Sequence, residues 1–325
     1  MFAILGSGFG IYGYLPALVD GCAQQIVLPE RYRTRFLERP KLARYAGNVH
    51  WKVNEEMTLD CAEGVVVARR PMDQFDCIHD CLARPNIQRF LLEKPLAHSP
   101  ENAMAVFDDL IRARKSFRIG YLFPYTTWGQ KMLNALRVTR ERGVMSIRWC
   151  FLAHHFQNDL QNWKRFSASG GGVIRFYGIQ IIALLAAIGY QDVILSQTFG
   201  TSADEAEKWT AVFAGGNLPE CEVVVDTNST VPQFHAALTL DSIHGQVTST
   251  FASASDPFDL ARELFRSDGN DKRVPILIEL CRSLWVIETG EYEWYAATNV
   301  LWRSIEDKTQ FETLHPSHRP FTGMH

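Results

Sequence analysis

The sequence predicts an α/β domain built on a parallel sheet over residues 1–121, followed by an α+β domain with an open, mostly antiparallel sheet over residues 122–325. Three observations predict it. The apolar run Phe2-Ala3-Ile4-Leu5 ends in the glycine cluster Gly6-Ser7-Gly8-Phe9-Gly10, and a helical pattern follows at once. Short apolar runs then alternate with helical stretches as far as Tyr121, as βαβ crossovers require. Beyond Tyr121 the strand-like runs succeed one another across turns, without regular crossover helices.

The glycine cluster is the start of a Rossmann-type βαβ unit that binds a dinucleotide. Glycines let the backbone turn sharply and approach a pyrophosphate, and the next helix N-terminus favours its charge. Counted from Gly6, the third glycine of G-x-G-x-x-G falls on Ile11; counted from Gly8, the pattern is complete at Gly13. The first register is preferred, because the turn must begin where the strand ends. A plain strand-to-helix turn is the ordinary alternative.

The remaining elements follow in order. Gln25–Leu28 reads as a second strand, ending at Pro29-Glu30-Arg31. An acidic side chain there would accept hydrogen bonds from the ribose hydroxyls of NAD, and Glu30 is the candidate. The adjacent Arg31 suits the 2′-phosphate of NADP instead, so NAD is the expectation and NADP the lesser alternative. Val49–Val53 and Gly64–Ala68 are further strands, the latter ending at Arg69-Arg70-Pro71 before a helix from Met72 to Arg84. Phe90–Leu92 ends in Glu93-Lys94-Pro95, a helix covers Pro100–Lys115, and Arg118–Tyr121 is one more strand. Glu30, Arg69, Pro71 and Lys94 thus sit at strand carboxyl ends, where ligands of parallel sheets bind. A lysine enclosed there is costly to desolvate, which lowers its pKa and suits it to proton transfer; a salt bridge with Glu93 is the plain alternative.

In the second half, Trp128–Arg142 is helical and Val144–Ala153 is a long strand. The polar segment His154-His155-Phe156-Gln157-Asn158-Asp159 follows, then Trp163-Lys164 and Gly170-Gly171-Gly172, which open an apolar helix to Gly189. Strands are expected near Val193–Phe199, Lys208–Ala214, Glu222–Val225, Phe234–Leu240 and Gly245–Phe251, with helices near Pro275–Glu288 and Glu293–Ile305. These last two would pack on the second sheet or back on the first domain.

Composition narrows the function classes. The 325 residues carry a net charge of −3 and are 46% hydrophobic, enough for a large core. No basic stretch argues for nucleic acid. The longest aliphatic run, Ile181–Ile188, is far short of a membrane span, and no charged leader with an apolar signal core precedes the first strand. The expectation is a cytoplasmic protein with neither nucleic acid nor membrane as partner. The seven cysteines are odd in number and scattered, so they read as reduced thiols. His154 and His155 lack a third ligand at metal spacing, so no metal is expected.

Taken together, Gly6-Ser7-Gly8-Phe9-Gly10, the Val66-Val67-Ala68 run leading to Pro71 and Gln74, and Glu93-Lys94-Pro95 followed by Ile119-Gly120-Tyr121 resemble the Gfo/Idh/MocA oxidoreductases, relatives of glucose–fructose oxidoreductase and inositol dehydrogenase. Trp163-Lys164 before Gly170-Gly171-Gly172 extends the resemblance over nearly the whole chain. It implies an NAD-dependent dehydrogenase whose Lys94 stands by the nicotinamide and the reacting hydroxyl. Gly6, Gly8, Phe9, Gly10, Glu30, Arg31, Arg69, Pro71, Gln74, Glu93, Lys94 and Trp163 would then form the cofactor site. It also implies a sugar or nucleotide-sugar substrate, and a homodimer or homotetramer formed through the open face of the second sheet. Among nucleotide-sugar oxidoreductases the chain looks similar to those oxidising the 3-hydroxyl of UDP-N-acetylglucosamine for amino-sugar lipid A.

The resemblance breaks on the helix after the glycine triplet. The family there carries Asp and, four residues on, His, one helical turn apart on one face. This chain has Phe176 and Gln180, and neither exchanges a proton at useful pKa. Three explanations stand. Lys94 transfers the proton alone or with Tyr177. Alternatively His154, His155 or Asp159 substitutes, with Gln157 as an orienting partner. Otherwise catalysis is lost and the chain is a cofactor-binding sensor or assembly partner. Lys94, Gln157, Asp159, Tyr177 and Gln180 are the candidate substrate contacts.

Overall fold

The computed structural model describes residues 1–138, 142–242, 245–259, 270–286 and 291–314. Its first sheet comprises β1 (Phe2–Leu5), β2 (Ile26–Pro29), β3 (Val49–Lys52), β4 (Gly64–Val67), β5 (Arg89–Leu92) and β6 (Ser116–Ile119). They lie in the order β3-β2-β1-β4-β5-β6, and every pairing is parallel. β1, β2 and β4 are buried at every position, because helices cover both faces. The strand order reverses between β1 and β4, so a crevice opens at their carboxyl ends.

The crossovers contain α1 (Leu15–Cys22), α2 (Arg33–Leu37), α3 (Glu55–Asp60), α4 (Pro71–Leu82) and α5 (Pro100–Arg112). Local chemistry fixes their starts. Asn54 Oδ1 accepts from the Met57 N–H at 2.9 Å to cap α3, and Pro71 and Pro100 open α4 and α5. In α5, Ala103, Val106, Phe107 and Leu110 are buried, the 3–4 spacing of one apolar stripe.

After α6 (Thr127–Val138), the second sheet starts with β7 (Gly143–Leu152). α7 (His154–Gln157) and α8 (Ile179–Ile188) come next, then β8 (Asp192–Gly200), β9 (Ala206–Ala214), β10 (Glu220–Asp226), β11 (Asn228–Ser242) and β12 (Gly245–Ala254). α9 (Val274–Ser283), α10 (Glu291–Lys308) and β13 (Thr309–Thr313) complete the described elements. The sheet order is β12-β11-β7-β10-β9-β8-β13. Four of its pairings are antiparallel, while β10–β7 and β13–β8 are parallel. β13 is the strand that sequence pattern misses: Thr-Gln-Phe-Glu-Thr is half-exposed edge chain with one apolar residue, and only its pairing with β8 makes it a strand.

α8 is apolar all round and buried from Ile179 through Ala186, lying against α10 and α6. α9 runs back to the first sheet. A Cβ at Gly21 of α1 would stand 2.7 Å from Ile278 Cγ2, so glycine lets α1 and α9 touch closely. Phe117 of β6 stacks on Tyr292 at 4.4 Å, and Phe2 of β1 meets Trp285 at 5.7 Å. Arg118 donates to the carbonyls of Ser283 and Val286, fastening the end of α9 to β6. The first sheet thus takes part of its cover from the far end of the chain, while α10 packs on both α8 and α5. Among the described residues no helix is long and apolar enough to cross a membrane.

Candidate functional site

The glycine loop is a tight joint between β1 and β4. Gly6 has φ +150°, and a Cβ on it would lie 2.2 Å from the Ala68 carbonyl oxygen. Only glycine fits there. A Cβ at Gly10 would lie 2.8 Å from Ile4 Cγ2, whereas one at Gly8 would meet nothing within 4 Å, so the space above Gly8 stays open. Gly13 seats the Phe9 ring, whose Cε2 would be 2.4 Å from an added Cβ. The loop passes through a wide turn, Gly10–Tyr14, into α1.

A cavity of ≈ 690 Å³ extends from this loop along the carboxyl ends of the strands. Its size suits a small-molecule site. At one end the turns and helices that follow β2 and β4 contribute Arg31, Tyr32, Arg35, Arg69, Arg70 and Asp73; at the other stand Glu93, Lys94, Trp163, Lys164, Phe176 and Arg273. Seven basic side chains against two acidic ones give the cavity a positive field that favours a polyanion. Glu55 fixes two of the arginines, accepting from both Arg31 and Arg69 as well as from Tyr32. Burial alone would raise the Glu55 carboxyl, but Arg69 and Arg31 hold it below its ordinary value. Glu30 sits at the end of β2 as expected, yet its carboxylate pairs with Arg33 at 2.6 Å and stands outside the cavity lining.

Lys94 follows β5 and is held by contacts from both halves of the chain. Its Nζ donates to the Phe176 carbonyl at 2.6 Å and lies 3.8 Å from the Phe176 ring centroid. Burial lowers its pKa to about 7; Glu93 opposes the shift, while Arg273 and Lys164 add to it. Glu93 accepts from the Tyr14 hydroxyl at 3.0 Å. Burial pushes its carboxyl up, against the attraction of Lys94 and Arg273. Gly120 leaves room for this pair, since a Cβ there would lie 2.6 Å from the Tyr14 oxygen and 3.0 Å from Glu93 Oε2. Gln74, buried on α4, donates to the carbonyls of Glu93 (2.5 Å) and Pro95 (2.9 Å) and so fixes the backbone on both sides of Lys94. The result is a half-buried amine of near-neutral pKa, rigidly aimed, at the wall of the cavity.

The glycine triplet joins the halves. A Cβ at Gly170 would lie 2.5 Å from Pro71 Cβ, and one at Gly171 would lie 2.1 Å from the Trp163 carbonyl oxygen. Arg175 ties the same joint by donating to the His98 carbonyl at 2.7 Å. Trp163 meets Phe176 edge-on at 5.2 Å, and together they wall the Lys94 end of the cavity.

The structure brings Gly6, Gly8, Phe9, Arg31, Arg69, Glu93, Lys94 and Trp163 to the cavity, while Gly10, Pro71 and Gln74 support it from behind. It does not bring the other candidates there. His154 and Gln157 are exposed on α7. Asp159 is exposed too, and it pairs with Arg165 at 2.7 Å, which holds its carboxyl below its ordinary value. Tyr177 is boxed in by Trp149, Phe151 and Phe176, away from the lining, and burial raises its phenol. His155, buried against Tyr177 at 6.2 Å, has a pKa lowered to about 4 by burial, so it stays neutral near pH 7. Gln180 is turned inward: its Oε1 accepts from the Leu122 N–H at 2.7 Å and its Nε2 donates to the Gly120 carbonyl at 3.1 Å. That amide holds the chain crossing between the sheets, and the expectation that Gln180 contacts substrate gives way to a structural role.

Sequence reasoning missed Arg273, Arg35 and Arg70 as cavity residues and noted Lys164 only within a motif. Arg273, at the N-terminus of α9, is held by Asp271 at 2.8 and 2.9 Å and lies 4.0 Å over the Phe9 ring. Nothing in the local pattern of residues 270–275 signals that; only the return of α9 to the first sheet puts it there. Arg35 had a usable signal, four residues beyond Arg31 on the same helical face.

No family model matches the chain, and no curated protein matches it by sequence. Solved structures do match in fold. One is GenD2 from gentamicin A biosynthesis, in complex with NAD: TM-score 0.65, 17% identity, 94% of each chain covered. A second is KijD10, a 3-ketoreductase from Actinomadura kijaniata in complex with NADP and TDP-benzene: TM-score 0.68, 10% identity, covering 97% of this chain and 99% of that one. A third is the WlbA (WbpB) dehydrogenase from Thermus thermophilus with NAD and UDP-GlcNAcA: TM-score 0.64, 11% identity, 98% of each chain covered. The likeness spans both sheets and is one of fold.

Proposed function

We propose that this chain is an NAD(P)-dependent oxidoreductase of the Gfo/Idh/MocA kind, oxidising a secondary alcohol of a sugar or nucleotide sugar. One observation carries the reading: a half-buried lysine, Lys94, stands at the carboxyl end of a parallel strand, in one cavity with a glycine loop that leaves open space above Gly8. The loop and the basic lining fit the diphosphate of a dinucleotide. The bound nicotinamide would supply the hydride acceptor. Everything else falls to the protein. Gly6–Phe9 and Arg273 hold the charged backbone of the cofactor. Glu93, Gln74 and the Phe176 carbonyl aim Lys94 at the hydroxyl, and the neutral amine takes its proton. Trp163 and Phe176 keep water from the reacting carbon.

The three solved relatives in fold support this class, since they are crystallised with NAD or NADP and two of them with nucleotide-sugar ligands or analogues. The finer proposal is the 3-hydroxyl of UDP-N-acetylglucosamine as substrate and a homodimer or homotetramer closed through the open face of the second sheet; it rests on the resemblance of sequence. The test is reduction of NAD(P)⁺ by a panel of UDP- and TDP-sugars. Lys94→Met should cut turnover by about 10²–10⁴-fold and leave NADH affinity within a few-fold. Dinucleotide binding with no turnover across the panel would make the protein a sensor.

A second reading concerns the cofactor. Glu30 faces Arg33, whereas Arg31, Arg35 and Arg70 line the cavity beyond the ends of β2 and β4. That observation favours a 2′-phosphate and hence NADP. Comparing NADH and NADPH affinities decides: Arg35→Ala should weaken NADPH more than NADH, and equal loss for both would remove this reading.

A further inference from the structure

The joint at the glycine triplet is held from behind by a carboxylate of α10. Arg175 directly precedes Phe176, whose carbonyl accepts from Lys94, in the wide turn Val173–Gly178. Its guanidinium reaches three segments. Nη1 donates to the His98 carbonyl at 2.7 Å and to the Ser167 carbonyl at 3.0 Å. Nε and Nη2 donate to the two carboxylate oxygens of Glu306 at 2.7 and 2.6 Å, a bidentate fork. His98 lies four residues beyond Lys94, in the segment that leaves β5. Arg175 therefore ties the Lys94 segment to the turn that supplies the Phe176 carbonyl, and both sides of the Lys94–Phe176 contact depend on one guanidinium. Glu306 is fixed in its turn. Trp302, fully buried one helical turn earlier on α10, donates to Glu306 Oε1 at 2.6 Å. The Arg175 and Glu306 side chains are largely enclosed, at 19% and 20% exposure, so water competes little with the fork.

We propose that Glu306 is a positioning residue for Lys94: through Arg175 it sets the distance between the Lys94 segment and the Phe176 carbonyl, a role that rests on Lys94 as the proton acceptor of the proposed function. The carbonyl oxygen accepts from the amine, which aims it and favours its charged form. Without Glu306 the guanidinium loses its fork, and the turn can drift from the segment that carries Lys94. The amine then loses its aim and part of the support for its charge. Its charged neighbours Glu93, Lys164 and Arg273 stay as they were. A proton acceptor must lie within hydrogen-bond reach of the hydroxyl, and a displacement of about 1 Å costs on the order of 10²-fold in rate. Neither Glu306 nor Arg175 lines the main cavity, so dinucleotide binding does not need them directly.

The test reads Lys94 both without turnover and with it. Competitive labelling of the full chain with acetic anhydride across pH, mapped by mass spectrometry, follows the titration of the Lys94 amine. NADH titrations and initial rates with the sugar panel run in parallel. Three variants are compared: Glu306→Gln, Glu306→Asp and Arg175→Met. In all three the Lys94 titration should move to lower pH, while NADH affinity and sugar KM hold within a few-fold. Turnover should fall about 10–100-fold in Arg175→Met and several-fold in the two Glu306 variants. Direction separates positioning from bulk charge. Glu306→Gln removes a negative charge and Arg175→Met a positive one, so a field effect alone would move Lys94 down in the first and up in the second. That opposed pair of shifts would overturn the proposal. Glu306→Asp keeps the charge and shortens the reach, so it decides the matter even where Arg175→Met does not fold. Lower thermal stability with the Lys94 titration and kcat both unmoved would also overturn it, leaving the fork a clamp of the fold. Wild-type protein that oxidises none of the sugars would overturn the dehydrogenase reading instead, and the labelling would still decide whether Glu306 holds Lys94.

Discussion

At the scale of the residue, the proposed chemistry turns on the Lys94 amine. A group that must be neutral to accept a proton, with pKa near 7, makes alcohol oxidation rise with pH through about 7 and level off above it. The sign of a neighbour's effect follows. Glu93 supports the charged amine, so Glu93→Gln should move that limb to lower pH, and a pH profile of kcat/KM reads the shift. An unmoved limb would mean that Glu93 is neutral in the working enzyme and acts only through its bond to Tyr14. Lys94 was legible in the sequence, because Glu93-Lys94-Pro95 ends an apolar strand at the right distance from the glycines. Its partner was not. The Phe176 carbonyl is a backbone group, and a residue that looks like a lost acid still contributes its main chain and its ring.

At the scale of the element, the chain crossing from the first sheet to the second is tied by one side chain. Gln180→Leu would leave the Leu122 N–H and the Gly120 carbonyl buried and unpaired. The cost should be about 2–4 kcal/mol, seen as a lower urea midpoint at unchanged slope. Normal stability with a raised substrate KM would return Gln180 to the substrate. Strand and helix existence was legible over most of the described chain, because period-2 and 3.6-residue patterns and caps are local. β13 was not, since an edge strand half in solvent needs no apolar pattern, and the roles of α7 and Gln180 depend on which way a helix face turns. Gly6→Ala belongs to this scale too. The added methyl meets the Ala68 backbone, which cannot yield without parting β1 from β4, so both thermal stability and NADH binding should fall together in calorimetry and titration.

At the scale of the whole molecule, the two-sheet architecture was legible from the change of pattern at Tyr121, and the return of α9 to the first sheet was open between two placements. Arg118 is the clamp for that return, 3% exposed and bound to Ser283 and Val286. Arg118→Met should loosen α9 and β6 together, giving faster amide exchange in Val274–Ser283 and Ser116–Ile119 while β8–β10 stay protected. Because Arg273 heads α9, the same variant should also weaken NADH, whereas uniform acceleration across both sheets would point to general destabilisation instead.

That return also sets an order of events during synthesis. All six strands of the first sheet exist once Ile119 has been made, but Phe2 and Phe117 meet Trp285 and Tyr292 only after the rest of the chain has followed. A nascent chain halted before α9 therefore presents part of a finished sheet face to water, a surface suited to holding by a chaperone or to aggregation. Native closure of the first sheet is then a late, long-range step, slow in proportion to its sequence separation. The main cavity, which Arg273 helps to line, is completed only at that moment.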